Sequence, residues 1–178
     1  MKFFCFLLGL TVIGSLATEK AGKDQMQLTS TAFTEGAAIP AKHTCDARDV
    51  SPPLKWIGVP ACAKSLALIV DDPDAPAGTW VHWVLYDLPA SKSELTEDVP
   101  KSQYVAGGAK QGLNDFRHLG YGGPCPPHGK PHRYFFKLYA VDTKITAPIK
   151  NKAELLKAME GHIIQQSELM ANYERVKK

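Results

Sequence analysis

The chain has 178 residues, 44% of them hydrophobic and 22% charged, and it carries a formal net charge of +3 at pH 7. This length and apolar fraction are enough for one domain with a complete hydrophobic core. The nearly balanced charge argues against binding to nucleic acid and against strong attraction to a membrane surface. No repeat or low-complexity tract indicates a second domain, so we expect a single domain over residues 27–176.

Residues 1–17 have the pattern of a secretory signal peptide. Lys2 precedes an apolar stretch over residues 3–13, and small residues at 15–17 supply a cleavage signal. The apolar stretch is too short for a typical membrane-spanning helix. The pattern predicts export to the periplasm or the cell exterior, with residues 18–26 as a flexible leader and no integral membrane span in the mature form. A retained N-terminal anchor is the alternative.

Short apolar groups separated by Gly, Pro, Asp and Ser occupy residues 30–60. Short strands joined by turns are typical of an all-β sandwich. Because the consecutive Pro52 and Pro53 disfavour helix, this segment should enter a strand from an extended backbone. Trp56, within that strand, is expected in the core rather than at a ligand.

Two longer apolar runs enclose an acidic loop. Residues 65–70 and 80–86 have the composition of strands, and the loop between them begins Asp71-Asp-Pro-Asp. This arrangement predicts a hairpin that places the acidic loop and His82 at one end of a sheet. A lone histidine in an apolar strand is more often a hydrogen-bonded core residue than a ligand, and for His82 taken alone that interpretation is favoured.

A dense polar segment follows in residues 111–120. Its side chains are suited to hydrogen bonds with nearby backbone groups, so we expect them to brace the next loop rather than to contact a ligand. The polar residues are Asn114, Asp115, Arg117 and His118.

The loop that follows is rich in Gly and Pro and precedes another apolar strand. Residues 121–131 place three glycines and four prolines around Cys125 and His128, a composition that excludes helix and predicts a rigid loop. Residues 134–141 have the composition of a central strand. A rigid loop on a buried strand suits a binding site, because preorganisation lowers the entropy lost on ligand capture. A simple connector is the alternative.

Residues 152–173 have apolar residues at helical spacing and predict one long helix. Asn151 can cap its start, and Gly161 is its weak point. The apolar stripe of this helix should cover a face of the sheet. The predicted fold class is therefore an all-β dominated, two-sheet β-sandwich with a C-terminal α-helix packed on the sheet.

Three cysteines remain after removal of the signal peptide, which permits one disulfide and one free thiol in an oxidising compartment. The hairpin arrangement places Cys62 at the sheet end opposite the acidic loop. Cys45 precedes the first strand of that arrangement and Cys125 lies in the Gly/Pro loop, which favours a Cys45–Cys125 disulfide. Three reduced thiols are the alternative.

Several of these segments resemble the phosphatidylethanolamine-binding protein family over roughly residues 27–175. Its two signature regions are matched by Asp72-Pro-Asp-Ala-Pro, Thr79-Trp-Val-His-Trp and Gly122-Gly-Pro-Cys-Pro-Pro with His132-Arg-Tyr. The bacterial branch, often called Raf kinase inhibitor-like proteins, is matched by Ser51-Pro-Pro-Leu-Lys-Trp and Gln111-Gly-Leu-Asn-Asp.

The resemblance implies a strand-end pocket for phosphate or carboxylate head-groups, including those of phospholipid-like ligands. Pro126 resembles the cis-proline of the family. The residues that match the family's pocket positions are Asp72, His82, Pro126, His132 and Tyr134.

The residues themselves suggest how such a pocket would hold an oxyanion. Gly122 and Gly123 let the backbone approach and offer N–H donors, and His82 and His132 can donate further hydrogen bonds. We expect the Asp72 carboxylate to favour the charged form of only one of these two imidazoles.

Other chemistries find less support. A metal site would need Asp72, His82 and His132 to converge, yet no His-x-His or Cys-x-x-Cys spacing occurs. A hydrolase would need an activated nucleophile, and no Gly-x-Ser-x-Gly segment occurs. We expect a binding protein without catalytic residues, metal or cofactor. A protein inhibitor that uses surface loops against a protease or another envelope partner is the alternative, and both monomer and homodimer remain open.

Overall fold

The structure is a computed structural model that describes residues 25–105 and 107–175. The predicted signal peptide and the leader up to residue 24 lie outside this part of the chain. The strands are β1 (Gln27–Ser30), β2 (Leu54–Ile57), β3 (Ser65–Asp72), β4 (Trp80–Pro89), β5 (Glu94–Leu95), β6 (Lys110–Gln111), β7 (His132–Val141) and β8 (Ile163–Tyr173). One α-helix, α1 (Lys152–Met159), and a 3-10 turn at Ala41–His43 complete the described elements. Neither could cross a membrane, because both are too short for an apolar span.

The strands form two antiparallel sheets. One has three strands in the order β1-β2-β5, and the other has five in the order β6-β4-β3-β7-β8. Side chains from both sheets form the main core, including Leu28, Leu54, Trp56, Leu66, Leu68, Trp83, Phe136 and Leu138. The predicted β-sandwich is confirmed, and Trp56 lies in the core as expected.

Strand β3 is the centre of the larger sheet, and all eight of its residues are buried. Alternate residues of a strand point to opposite faces. Leu66 and Leu68 belong to the core between the sheets, whereas Ala67 and Ile69 belong to a second core that includes helix α1. A strand covered on both faces has a continuous apolar sequence instead of alternating polar and apolar residues.

The predicted hairpin is present as strands β3 and β4. Its register pairs Asp72 with Trp80 across the mouth of the hairpin loop. On the other side β3 pairs with β7, whose first residue is His132. The end of β3 and the starts of β4 and β7 therefore meet at one edge of the sheet, where the Gly/Pro loop also arrives.

The long C-terminal helix predicted over residues 152–173 is wrong. Helix α1 ends at Met159, and Gly161 has φ +76°, a left-handed conformation that glycine adopts readily. The chain then reverses into β8, which pairs with the whole length of β7 and supplies its second neighbour. The start of the helix was predicted correctly, since the Asn151 side chain accepts a hydrogen bond from the Glu154 N–H at 3.0 Å.

The predicted disulfide between Cys45 and Cys125 is present, with the two Cα atoms 5.4 Å apart. Cys62 is exposed and free. It lies shortly before Ser65, the first residue of β3, at the end remote from Asp72, as the hairpin arrangement predicted.

Candidate functional site

A cavity of about 250 Å³ opens at the edge of the larger sheet, where β3 ends and β4 and β7 begin. Its lining comes from these strand ends, from the β3–β4 loop, from the polar segment and from the Gly/Pro loop. The lining residues are Asp72, Ala75, Pro76, Ala77, Trp80, His82, Phe116, Cys125, Pro126, Pro127, His132 and Tyr134. Five of the seven predicted ligand residues thus line one pocket: Asp72, His82, Pro126, His132 and Tyr134.

Asp72 and His132 form a buried pair within this pocket. The Nδ1 atom of His132 lies 2.8 Å from the Asp72 Oδ2 atom, and the Asp74 N–H donates to the Asp72 Oδ1 atom at 2.8 Å. Because a carboxylate only accepts, the His132 Nδ1 atom carries the proton. Within residues 25–105 and 107–175, no three His, Cys, Asp or Glu side chains are grouped so that they could hold a metal ion.

His82 is held differently from His132. Its Nδ1 atom lies 2.6 Å from the carbonyl oxygen of Gly122, so this nitrogen is the donor. Burial lowers the pKa of His82, although the carboxylates of Asp72 and Asp115 act in the opposite direction. A neutral ring with a proton on Nδ1 presents a lone pair at Nε2. His82 therefore offers the pocket an acceptor, where the sequence suggested a donor.

Two lining side chains carry donors that the fold does not use. The hydroxyl of Tyr134 and the Nε1–H of Trp80 are buried and have no hydrogen-bond partner among the described residues. Burial raises the pKa of Tyr134, and the nearby Asp72 carboxylate adds to the effect. The Tyr134 hydroxyl therefore keeps its proton at neutral pH. A buried donor without a partner is a strong indication of a ligand position.

Gly122 and Gly123 do not present their N–H groups to the pocket. The Gly122 N–H donates to the carbonyl of His82 at 2.9 Å, and the Gly123 N–H donates to the Asp49 carboxylate at 2.6 Å. A Cβ atom on Gly123 would lie 2.4 Å from the His43 carbonyl oxygen. These glycines let the loop pack closely against its neighbours, and the predicted donation of their amides to an oxyanion is wrong.

The polar segment before the loop braces it, as predicted. The Asn114 side chain donates to the carbonyl of Gly120 at 2.9 Å, and the Asp115 carboxylate accepts from the Val81 N–H at 2.7 Å. The Cys45 N–H also donates to the carbonyl of Pro124 at 3.1 Å. The Gly/Pro loop is therefore fixed both to β4 and to the segment that carries Cys45.

Pro126 lines the pocket, but its peptide bond is trans, as are all described peptide bonds. The predicted cis-proline is wrong. The disulfide at Cys125 and the hydrogen bond to Pro124 fix the loop just before Pro126. The restricted φ angles of Pro126 and Pro127 then shape the wall without a cis bond.

The β3–β4 loop forms the opposite wall and is tied to β7. The Arg133 guanidinium contacts both oxygens of Asp74 at 2.8 and 2.7 Å. This hydrogen-bonded pairing lowers the pKa of Asp74 to about 2. A bidentate pair of this kind fixes geometry, so the Ala75–Ala77 wall is held near His132.

The other seven lining residues were not predicted as ligand residues: Ala75, Pro76, Ala77, Trp80, Phe116, Cys125 and Pro127. Trp80 could have been found, because it lies two positions before His82 in a strand and such residues share a face. Phe116 gave no signal, because it lies in a polar loop. Its ring makes edge contacts with the rings of both Trp80 and His82, at centroid distances of 5.4 Å.

The protein is an antiparallel two-sheet sandwich with a preformed pocket at its strand ends. Residues 29–174 match the family model described as phosphatidylethanolamine-binding protein. The chain belongs to the phosphatidylethanolamine-binding protein family, and the resemblance seen in the sequence is confirmed.

Relatives and solved structures agree with this assignment. A UPF0098 protein of Methanothermobacter thermautotrophicus is 49% identical over 151 residues, which cover 84% of this chain and 99% of the relative. One of Aquifex aeolicus is 44% identical, with coverage of 92% and 99%. The crystal structure of a homologue from Chlamydia trachomatis superposes with a TM-score of 0.79 at 44% identity, covering 86% of this chain and 99% of that chain. The structure of E. coli YbcL gives 0.78 at 35% identity, with coverage of 85% and 99%.

Proposed function

We propose that this family member is a non-enzymatic binding protein whose strand-end pocket takes small anionic head-groups with a phosphate or a carboxylate. The observation that carries the proposal is the pair of buried, unpartnered donors, the Tyr134 hydroxyl and the Trp80 Nε1–H, in a pocket that also contains His132. Donors of this kind suit the oxygen atoms of an anion, since a ligand oxygen would satisfy them.

The size and the walls of the pocket support a small ligand. Its volume of about 250 Å³ lies just below the usual range for drug-sized ligands. Its sides are formed by alanine, proline and aromatic residues, which exclude water and strengthen the few polar contacts. A head-group or a free small anion fits these dimensions.

We also propose that the protein works in an oxidising compartment, as the predicted export requires. The Cys45–Cys125 disulfide supports this location, because structural disulfides persist outside the reducing cytosol.

Chemical-shift titration with phosphate, acetate and phosphoethanolamine tests the proposed pocket. We expect the largest changes at the Trp80 indole N–H and at the ring signals of His82 and His132. His132→Ala should weaken the binding of all three ligands, whereas His162→Ala, at the exposed far end of the sheet, should leave it unchanged. Changes scattered away from the pocket, or equal effects of the two substitutions, would exclude the proposed site.

A further inference from the structure

We infer that the pocket selects a phosphate group that still carries a proton, so that monoanionic phosphomonoesters bind it in preference to phosphodiesters and sulfates. This inference rests on the proposed function and specifies its ligand class. It follows from four polar groups of the lining, of which two are acceptors and two are buried donors without a hydrogen-bond partner among the described residues.

The first acceptor is the carboxylate of Asp72, which is 3% exposed and lines the pocket. It accepts one hydrogen bond from the Asp74 N–H and one from the His132 ring. Two carboxylate oxygens provide about four acceptor positions, so about two remain open. A carboxylate cannot donate to a ligand oxygen, and it repels one that is fully ionised.

The second acceptor is the Nε2 atom of His82. The Nδ1–H of this ring donates to the Gly122 carbonyl. The lone pair of Nε2 is therefore left as an acceptor in the pocket that the ring lines. Burial lowers the pKa of His82, so this nitrogen stays unprotonated near neutral pH. The ring is packed edge-on against Phe116 and Tyr134, which prevents it from turning away.

The donors are the Tyr134 hydroxyl and the Trp80 Nε1–H. A ligand that matches this set presents bare oxygens to the two donors and an O–H to one of the two acceptors. The monoanion of a phosphomonoester has two bare oxygens and one P–OH. A phosphodiester or a sulfate ester has no proton to donate, so it leaves Asp72 and His82 facing an oxygen that cannot pair with either.

The pocket charge leads to the same ligand. Asp72 contributes one negative charge, its partner His132 contributes at most one positive charge, and His82 is neutral. A pocket without net positive charge suits a monoanion better than a dianion, because the second charge would be buried without compensation.

Three probes of equal charge test the inference by calorimetry at about pH 5, below the second ionisation of a phosphomonoester near pH 6. Methyl phosphate, dimethyl phosphate and methyl sulfate are all monoanions there, and only methyl phosphate carries a P–OH. We expect methyl phosphate to bind about tenfold tighter than the other two, or better. Equal affinities would overturn the inference and leave the proposed function intact. Binding of none of the three would overturn both.

Asp72→Asn tests whether the Asp72 carboxylate is the acceptor of the hydrogen bond from the P–OH group. An asparagine amide can donate to a bare oxygen, so the preference for methyl phosphate over dimethyl phosphate should fall towards one. Asp142→Asn is the matched control, because Asp142 lies beyond the far end of β7 and should leave the preference unchanged. An unchanged preference in Asp72→Asn would overturn the role of the carboxylate. Should that variant not fold, the comparison of the three probes on the unsubstituted protein still decides the inference.

Discussion

Tyr134 carries a buried hydroxyl that the protein itself does not use. Removal of a hydrogen-bonding group lowers stability when a buried partner is left unpaired, and here the fold provides none. Tyr134→Phe should therefore keep or slightly raise the free energy of unfolding, while phosphate binding weakens by about 1 kcal/mol, the worth of one hydrogen bond. Urea unfolding and calorimetry on the same sample measure the two effects.

Tyr121 provides the matched control for this substitution. It is equally buried, but its hydroxyl donates to the carbonyl of His43 at 2.8 Å. Tyr121→Phe leaves that carbonyl unpaired and should lower the free energy of unfolding by about 1–2 kcal/mol. If Tyr134→Phe showed the same loss, its hydroxyl would have a structural partner and the case for a ligand position would fail.

The ionisation of His82 makes stability depend on pH. Its pKa in the folded protein is lowered from 6.5, chiefly by burial, whereas the facing carboxylates of Asp72 and Asp115 only reduce the shift. Between the folded pKa and 6.5 the unfolded chain binds more protons than the folded one, so stability is complete above about pH 6.5 and is lost as the pH falls. His82→Gln should remove this part of the pH dependence in urea unfolding.

The exposed His128 in the Gly/Pro loop supplies the control, because His128→Gln also removes one imidazole. Carboxylates that titrate at low pH affect both variants alike, so the comparison isolates the buried ring. An identical slope between pH 7.5 and 5 in the two variants would show that His82 is not held neutral by the fold.

At the scale of elements, Gly161 decides where α1 ends. Its φ of +76° is a left-handed conformation, and a Cβ atom there would meet nothing within 4 Å. Gly161→Ala should therefore cost only the backbone strain, about 1 kcal/mol in the free energy of unfolding. Gly161→Asn should cost less, because asparagine tolerates this conformation better. Equal stabilities of all three proteins would mean that the turn is not held in this conformation.

Strand β8 was not predictable from its own residues. Ile163, Leu169 and Met170 fit a helical spacing, and only two of the eleven residues of the strand are buried. What makes the segment a strand is the open edge of β7, whose N–H and C=O groups it pairs from Val141 to His132. That partner lies more than twenty residues away in sequence, and local patterns contain no information about it. Strands β3 and β4 were predictable because their composition and the intervening turn agree.

At the scale of the whole molecule, the sequence predicted the lining residues of the pocket where their positions follow from the ends of strands. Asp72, His82, His132 and Tyr134 meet because adjacent antiparallel strands place them at one edge. The prediction failed for Gly122, whose N–H donates to the His82 carbonyl, and for Gly123, which packs against His43 and Asp49 from a distant segment. The occupancy of a backbone N–H depends on such tertiary neighbours, which the sequence of the loop does not specify.

The Cys45–Cys125 disulfide joins that distant segment to the pocket and links two residues that are 80 positions apart in sequence. Cross-linking so long a segment restricts the unfolded chain, so Cys45→Ala with Cys125→Ala should lower the free energy of unfolding by about 2–5 kcal/mol. Because Cys125 immediately precedes Pro126 and Pro127, the double substitution should also weaken phosphate binding. Urea unfolding and calorimetry measure both losses.

Cys62→Ala is the control, since this exposed thiol lies at the opposite end of β3 and should change neither quantity. A double variant as stable as Cys62→Ala, with unchanged binding, would mean that the hydrogen bonds of the Gly/Pro loop are sufficient to hold the pocket.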